Sequence, residues 1–180
     1  MTQETDDATP GAASPKAASA FDVQLMAHAI ALAREGEQQP GASPIGCVIV
    51  LDGEVVGAAH NEVGIQHDPT AHAEMVAIRR ACTQLGREDL RGAVLYSTLQ
   101  PCGMCTMASI WAHIGRIVYG AGRGDVHRMY FEDRNFDTMD FVIDAYRNDL
   151  AVVGGVAANR CAELYYRPWD DPPEEEQANL

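Results

Sequence analysis

The stretch AVLYSTLQPCGMC, residues 93–105, passes from an apolar run through a proline to two cysteines three positions apart. Ala93-Val94-Leu95-Tyr96-Ser97 has the makeup of a short strand, and Pro101 is placed to open a helix reaching about His113. Cys102 and Cys105 stand at i and i+3, so both sulfurs project from one face of that helix's first turn. A helix N-terminus stabilises thiolates, the form of cysteine that binds zinc.

Upstream lies a second helix start. Asp68-Pro69 reads as an N-cap followed by proline at the first helical position, opening a helix that runs to Leu85 and stops at Gly86. His72 then falls in its first turn. Two helix N-termini meeting over one ion would supply His72, Cys102 and Cys105 and leave a fourth position open for water. Three protein ligands plus a water is the catalytic zinc pattern, whereas structural sites close with four. Glu74 lies two residues after His72, an offset of about 200° on a helix. For both to serve one site, the backbone there must sit at the helix edge, with Glu74 reaching the water rather than the metal. Glu74 would take a proton from the water and deliver it to a substrate nitrogen.

The flanking elements complete an α/β pattern. Phe21, Leu25, Met26, Ala29, Leu32 and Ala33 form a helical stripe closed by Gly36. Ile45–Leu51 and Glu54–Ala59 flank Asp52-Gly53, a hairpin signal, and Asn61–His67 is a polar connection. Downstream, residues 116–120 form a strand, 123–135 a loop with one helical turn, and 137–148 a helix. Residues 151–153 form a last short strand and 156–166 a final helix. This order predicts a mixed sheet with helices on its faces.

Residues 1–20 offer almost nothing to bury and read as a disordered leader; 168–180 read as an acidic disordered tail. One domain over residues 21–167 remains. It carries 18 acidic and 12 basic side chains, and the whole chain has a net charge of −13, which counts against a nucleic-acid partner. No run approaches the ~20 apolar residues of a membrane span and no signal peptide is visible, so the expectation is a cytoplasmic protein without membrane contact. Five cysteines, an odd number without a secretory signal, favour metal or buried thiols over disulfides. Cys47, Cys82 and Cys161 sit in strand or helix stripes and read as core thiols.

These motifs resemble the zinc deaminases of the cytidine deaminase-like superfamily, in the branch of guanine deaminases and tRNA adenosine deaminases. The likeness is carried by His60-Asn61, His67–Glu74, Ala77-Ile78-Arg79, Pro101–Cys105 and Arg116–Ala121, and spans about residues 21–165. It implies a three-layer α/β/α sandwich with a mixed five-stranded sheet, a zinc ion, hydrolytic loss of ammonia and a homodimer. It also implies His72, Cys102 and Cys105 as ligands and Glu74 as the proton shuttle. Asn61 would bond the base, and the backbone amide of Ala73 would contact its exocyclic or carbonyl group.

Substrate choice rests on fewer residues. Trp111 stands where guanine deaminases carry a tryptophan, as a stackable wall or, alternatively, a core residue. The Tyr130–Asp137 segment resembles a guanine deaminase stretch in which a carboxylate helps move protons to the leaving amine. Asp133 is the first choice for that role, Glu132 the second, and a solvated acidic loop the alternative. Departures from the family pattern at Met107-Ala108, Pro44-Ile45-Gly46 and His113 bear on the shape of the pocket. The leading expectation is guanine to xanthine plus ammonia, a step of purine metabolism. Guanosine, cytosine or an aminotriazine, a tRNA adenosine, and a non-catalytic zinc protein are the alternatives.

Overall fold

In the computed structural model, residues 18–40, 43–131, 140, 142, 145, 147 and 149–174 are described. The chain begins with helix α1 (Ala20–Glu37), started by a capping box: Ser19 Oγ accepts from the Asp22 N–H at 3.1 Å and Asp22 Oδ2 from the Ser19 N–H at 2.7 Å. Its buried stripe is Leu25, Met26, Ala29, Ile30 and Ala33 together with Asp22. Phe21, expected in that stripe, lies at its edge in the first turn and is 45% exposed.

Strands β1 (Gly46–Leu51) and β2 (Glu54–His60) form the expected hairpin. Asp52 and Gly53 both take positive φ, 53° and 86°, as a tight two-residue hairpin turn requires. Helix α2 (Val63–Gln66) is a single turn inside the segment expected to be irregular. Then follow α3 (Ala73–Leu85), β3 (Val94–Leu99), α4 (Gly103–Trp111), β4 (Arg116–Ala121), a 3₁₀ turn at Arg128–Tyr130, β5 (Ala151–Val153) and α5 (Ala158–Ala162).

The sheet order is β2-β1-β3-β4-β5. β1 pairs antiparallel with β2 and β3, and β3-β4-β5 are parallel. Successive strand residues serve opposite faces. Cys47, Ile49, Leu95 and Ile117 join the core under α3, while Val48, Val50, Tyr96 and Val118 join the core under α1 and α5. The result is a three-layer α/β/α sandwich around a mixed five-stranded sheet. α1 lies so close to β1 that a Cβ on Gly46 would stand 2.0 Å from the Ala29 carbonyl oxygen.

Three expectations change. α3 does not start at Asp68-Pro69: Asp68 Oδ1 is spent on the Thr70 N–H and hydroxyl, both at 2.8 Å, so residues 68–71 form a separate turn. The final helix covers only Ala158–Ala162 of the expected 156–166; its start is set by Ala157, left-handed at φ 55°. Residues 168–174, expected in a tail, include a turn closed by the Arg167 N–H on Asp170 Oδ2 at 2.6 Å, and Pro172 is buried. Most of the expected helix 137–148 lies outside the described residues. Among the described residues, no helix is long and apolar enough to cross a membrane.

Candidate metal centre

Three side chains converge where α3 and α4 begin. His72 is the N-cap of α3, with φ −61° and an extended ψ of 153°, and Cys102 is the N-cap of α4, with ψ 175°. Cys105 sits in the first turn of α4 and is fully buried. His72 Nδ1 lies 3.7 Å from each sulfur, and the three ligand atoms all fall within 4.8 Å of one another. Nitrogen and sulfur ligands of a tetrahedral zinc ion stand about 3.6 Å apart, given the usual bond lengths. Spacing and donor chemistry therefore both fit zinc.

The extended backbone at His72 answers the angular problem posed by Glu74. His72 precedes the helix instead of lying within its first turn, so the 200° helical offset does not apply, and both side chains reach the same site. Glu74, in the first turn of α3, is only 3% exposed. Its Oε1 accepts from the Ser97 hydroxyl at 3.0 Å and its Oε2 lies 3.5 Å from Cys105 Sγ. Burial, reinforced by the neighbouring Cys102 charge, pushes the Glu74 carboxyl above its ordinary range. The Cys102 thiol is held down to about 4, chiefly by the hydrogen bond from Cys105 and also by His72. Cys105, which donates that bond and is itself buried, is pushed up. Both sulfurs bind a metal as thiolates, so loading the site releases protons.

Asn61 is 4% exposed at the end of β2. Its Oδ1 accepts from the Val63 N–H at 3.2 Å, and the next residue, Glu62, bonds through its N–H to the Ala71 carbonyl at 2.9 Å. That pairing brings Asn61 beside the entry to α3. Ala73 holds the first helical position of α3, where an N–H has no intrahelical acceptor. Trp111 is not brought to the site by this chain. It lies six residues beyond Cys105 at the far end of α4, about 9 Å along the axis, and is 77% exposed. Glu132 and Asp133 lie outside the described residues.

Two open cavities lie elsewhere. One, of about 410 Å³, is lined by Gln66, Val76 and Arg79 among others; another, of about 320 Å³, is lined by Glu37, Tyr130 and Tyr166 among others. Neither touches the three ligands. Donor chemistry, not volume, marks this site.

Residues 19–121 match the family model for the cytidine and deoxycytidylate deaminase zinc-binding region. The chain belongs to this family. Zinc is its cofactor, with His72, Cys102 and Cys105 as the potential site. The deaminase is 40% identical over 109 residues to the guanine deaminase of Bacillus subtilis, covering 61% of this chain and 70% of that one. It is 34% identical over 149 residues to the tRNA-specific adenosine deaminase of Haemophilus influenzae, covering 82% and 83%. A solved chain from structural studies of A-to-I editing by tRNA:A34 deaminases superposes with a TM-score of 0.67 at 36% identity, over 78% of the deaminase and 98% of that chain.

Among the buried polar residues that the sequence does not single out, Ser97 is the one bonded to Glu74. Its signal was present, a serine in the otherwise apolar strand run AVLYS.

Proposed function

We propose that this deaminase acts on a free purine base, converting guanine and water to xanthine and ammonia, as a cytoplasmic homodimer. The zinc ion supplies a Lewis acid that makes water nucleophilic near neutral pH. Glu74 takes a proton from the attacking water and delivers it to a ring nitrogen; the water's second proton goes to the amino group, which leaves as ammonia while the water oxygen stays on the ring carbon. A carboxyl raised by burial suits that exchange, since it holds a proton more readily than an exposed glutamate. The Asn61 carboxamide, its oxygen occupied by Val63, presents its NH₂ to an acceptor on the base. The Ala73 N–H meets the exocyclic or carbonyl group. Asp133 is assigned to protonation of the leaving amine, and Trp111 can stack on a base only through assembly of the homodimer.

The charge of the molecule carries the small-substrate reading. Residues 21–167 hold six more acidic than basic side chains. On α3, beside the site, Arg80 is paired with Glu62 at 2.6 Å, and Arg79 is bonded to Thr70 and placed 3.8 Å from Asp68. Little positive charge there remains for phosphates, on which nucleic-acid affinity depends. The second reading is a tRNA adenosine deaminase, favoured by the long match to proteins of that activity.

Ammonia release from guanine, guanosine, adenine, cytosine and ammeline, beside deamination of a tRNA anticodon stem-loop, separates the two. Zinc is measured on the same sample. Guanine turnover is expected; turnover of the stem-loop with none on free bases reverses the order, and activity on a pyrimidine alone removes the purine reading.

A further inference from the structure

We propose that Ser97 is a positioning residue for Glu74: its hydroxyl holds Oε1 and so leaves Oε2 as the oxygen that exchanges protons. The proposal rests on the reading of Glu74 as the proton carrier. Ser97 is fully buried in the middle of β3, on the face covered by α3, directly across from Cys47 of β1. The surroundings on that face are apolar, with Leu95, Ile49 and Ala77 in the same core. A hydroxyl there needs a partner, and its single O–H is spent on Glu74 at 3.0 Å.

That bond is the side-chain anchor of a carboxylate whose other hydrogen-bonding neighbours are its own backbone N–H and Cys105. The terminal torsion of a glutamate is broad, so a carboxylate without a tether turns easily and presents either oxygen. The Ser97 hydroxyl fixes Oε1 against the sheet. Oε2 is then left on the side of the metal ligands, 3.5 Å from Cys105 Sγ. A cysteine that has given up its proton to bind zinc cannot donate to that oxygen. In the loaded protein Oε2 is therefore the atom available for a water proton. The adjacent strand residue, Thr98, points to the other face, where Oγ1 accepts from the Gly46 N–H and meets the Tyr165 hydroxyl. Nothing on that side duplicates the tether.

The test is Ser97→Ala, with Ser97→Thr to restore the oxygen. In the zinc-loaded protein, kcat on the base that is turned over falls about 10- to 100-fold, the range of one hydrogen bond to a charged group. KM and zinc content stay unchanged, and Ser97→Thr recovers most of kcat. In a Glu74→Gln background the same Ser97→Ala change has no further effect. A readout without turnover uses protein labelled with ¹³C at the glutamate carboxyls. The Glu74 signal, assigned by its loss in Glu74→Gln, moves in Ser97→Ala. An unmoved signal, an unchanged kcat in Ser97→Ala, or an equal loss of kcat in the Glu74→Gln background overturns the proposal. Full activity in Glu74→Gln alone sinks the proton-carrier reading instead, while the labelled signal still decides whether Ser97 holds the carboxylate.

Discussion

Neighbouring residues on β3 each donate to a buried carboxylate, and the two pairs lie on opposite faces of the sheet. Tyr96 points toward α1 and its hydroxyl bonds Asp22 Oδ1 at 2.9 Å; Ser97 points toward α3 and bonds Glu74 Oε1 at 3.0 Å. Asp22 is 1% exposed and Glu74 3%. Their remaining partners differ. Arg116 clamps Asp22 through two bonds of 2.6 and 3.0 Å, and the Ser19 N–H adds a third. Glu74 faces a histidine and two cysteines. A guanidinium beside Asp22 holds its carboxyl well below the usual range, while burial pushes Glu74 up. A carboxylate paired with a cation is locked in one charge state and serves the fold; one buried without such a partner keeps an affinity for protons and can work with them.

The largest expected effect is on the α3 face. Glu74→Gln should lower kcat by about 10²- to 10⁴-fold, the usual contribution of a general acid-base group, with zinc content retained. Ammonia release with metal analysis checks it, and undiminished turnover would break the contrast at its functional end. On the α1 face, Arg116→Met leaves Asp22 buried without its cation and should cost about 3–5 kcal/mol in urea unfolding. Activity per folded molecule should change far less, since the clamp lies across the sheet from the zinc ligands.

The same clamp sets an acid limit. The Asp22 carboxyl is lowered by folding, so its stabilisation is complete above the unfolded value of about 4 and is lost as pH falls below it. Unfolding followed from pH 7 to pH 3 should show that loss in the wild type and a shallower decline in Asp22→Asn. Gly46→Ala probes the packing that brings α1 onto the sheet: the added Cβ meets the Ala29 carbonyl, and a loss of about 1–3 kcal/mol is expected by thermal unfolding. Smallest is Trp111→Ala, which should alter the stability of an isolated chain by no more than about 0.5 kcal/mol, because the indole is exposed.

How legible each region was follows from the range of its interactions. The hairpin at Asp52-Gly53 and the stop of α3 at Gly86 were plain, because positive φ is a local demand that few residues meet. The start of α3 was misplaced. Asp68-Pro69 has the composition of a helix start, yet Asp68 bonds Thr70, and competition between turn and cap is decided only in three dimensions. The zinc ligands were legible as a pattern. Trp111 was legible as a family position, but its exposure in the single chain was not.

The sequence by itself determined the alternation of helix and strand and the donor set of the potential zinc site, because periodicity and donor chemistry are written in short local motifs. The tertiary structure decided what each buried carboxylate became. Asp22 and Arg116 are 94 residues apart and Ser97 and Glu74 are 23 apart, and no spacing rule joins either pair. Only the fold, by placing Tyr96 and Ser97 on opposite faces of one strand, gave one carboxylate a cation and the other a hydroxyl beside a zinc site. The reason is physical: the proton affinity of a buried acid is set by whatever the fold puts against it.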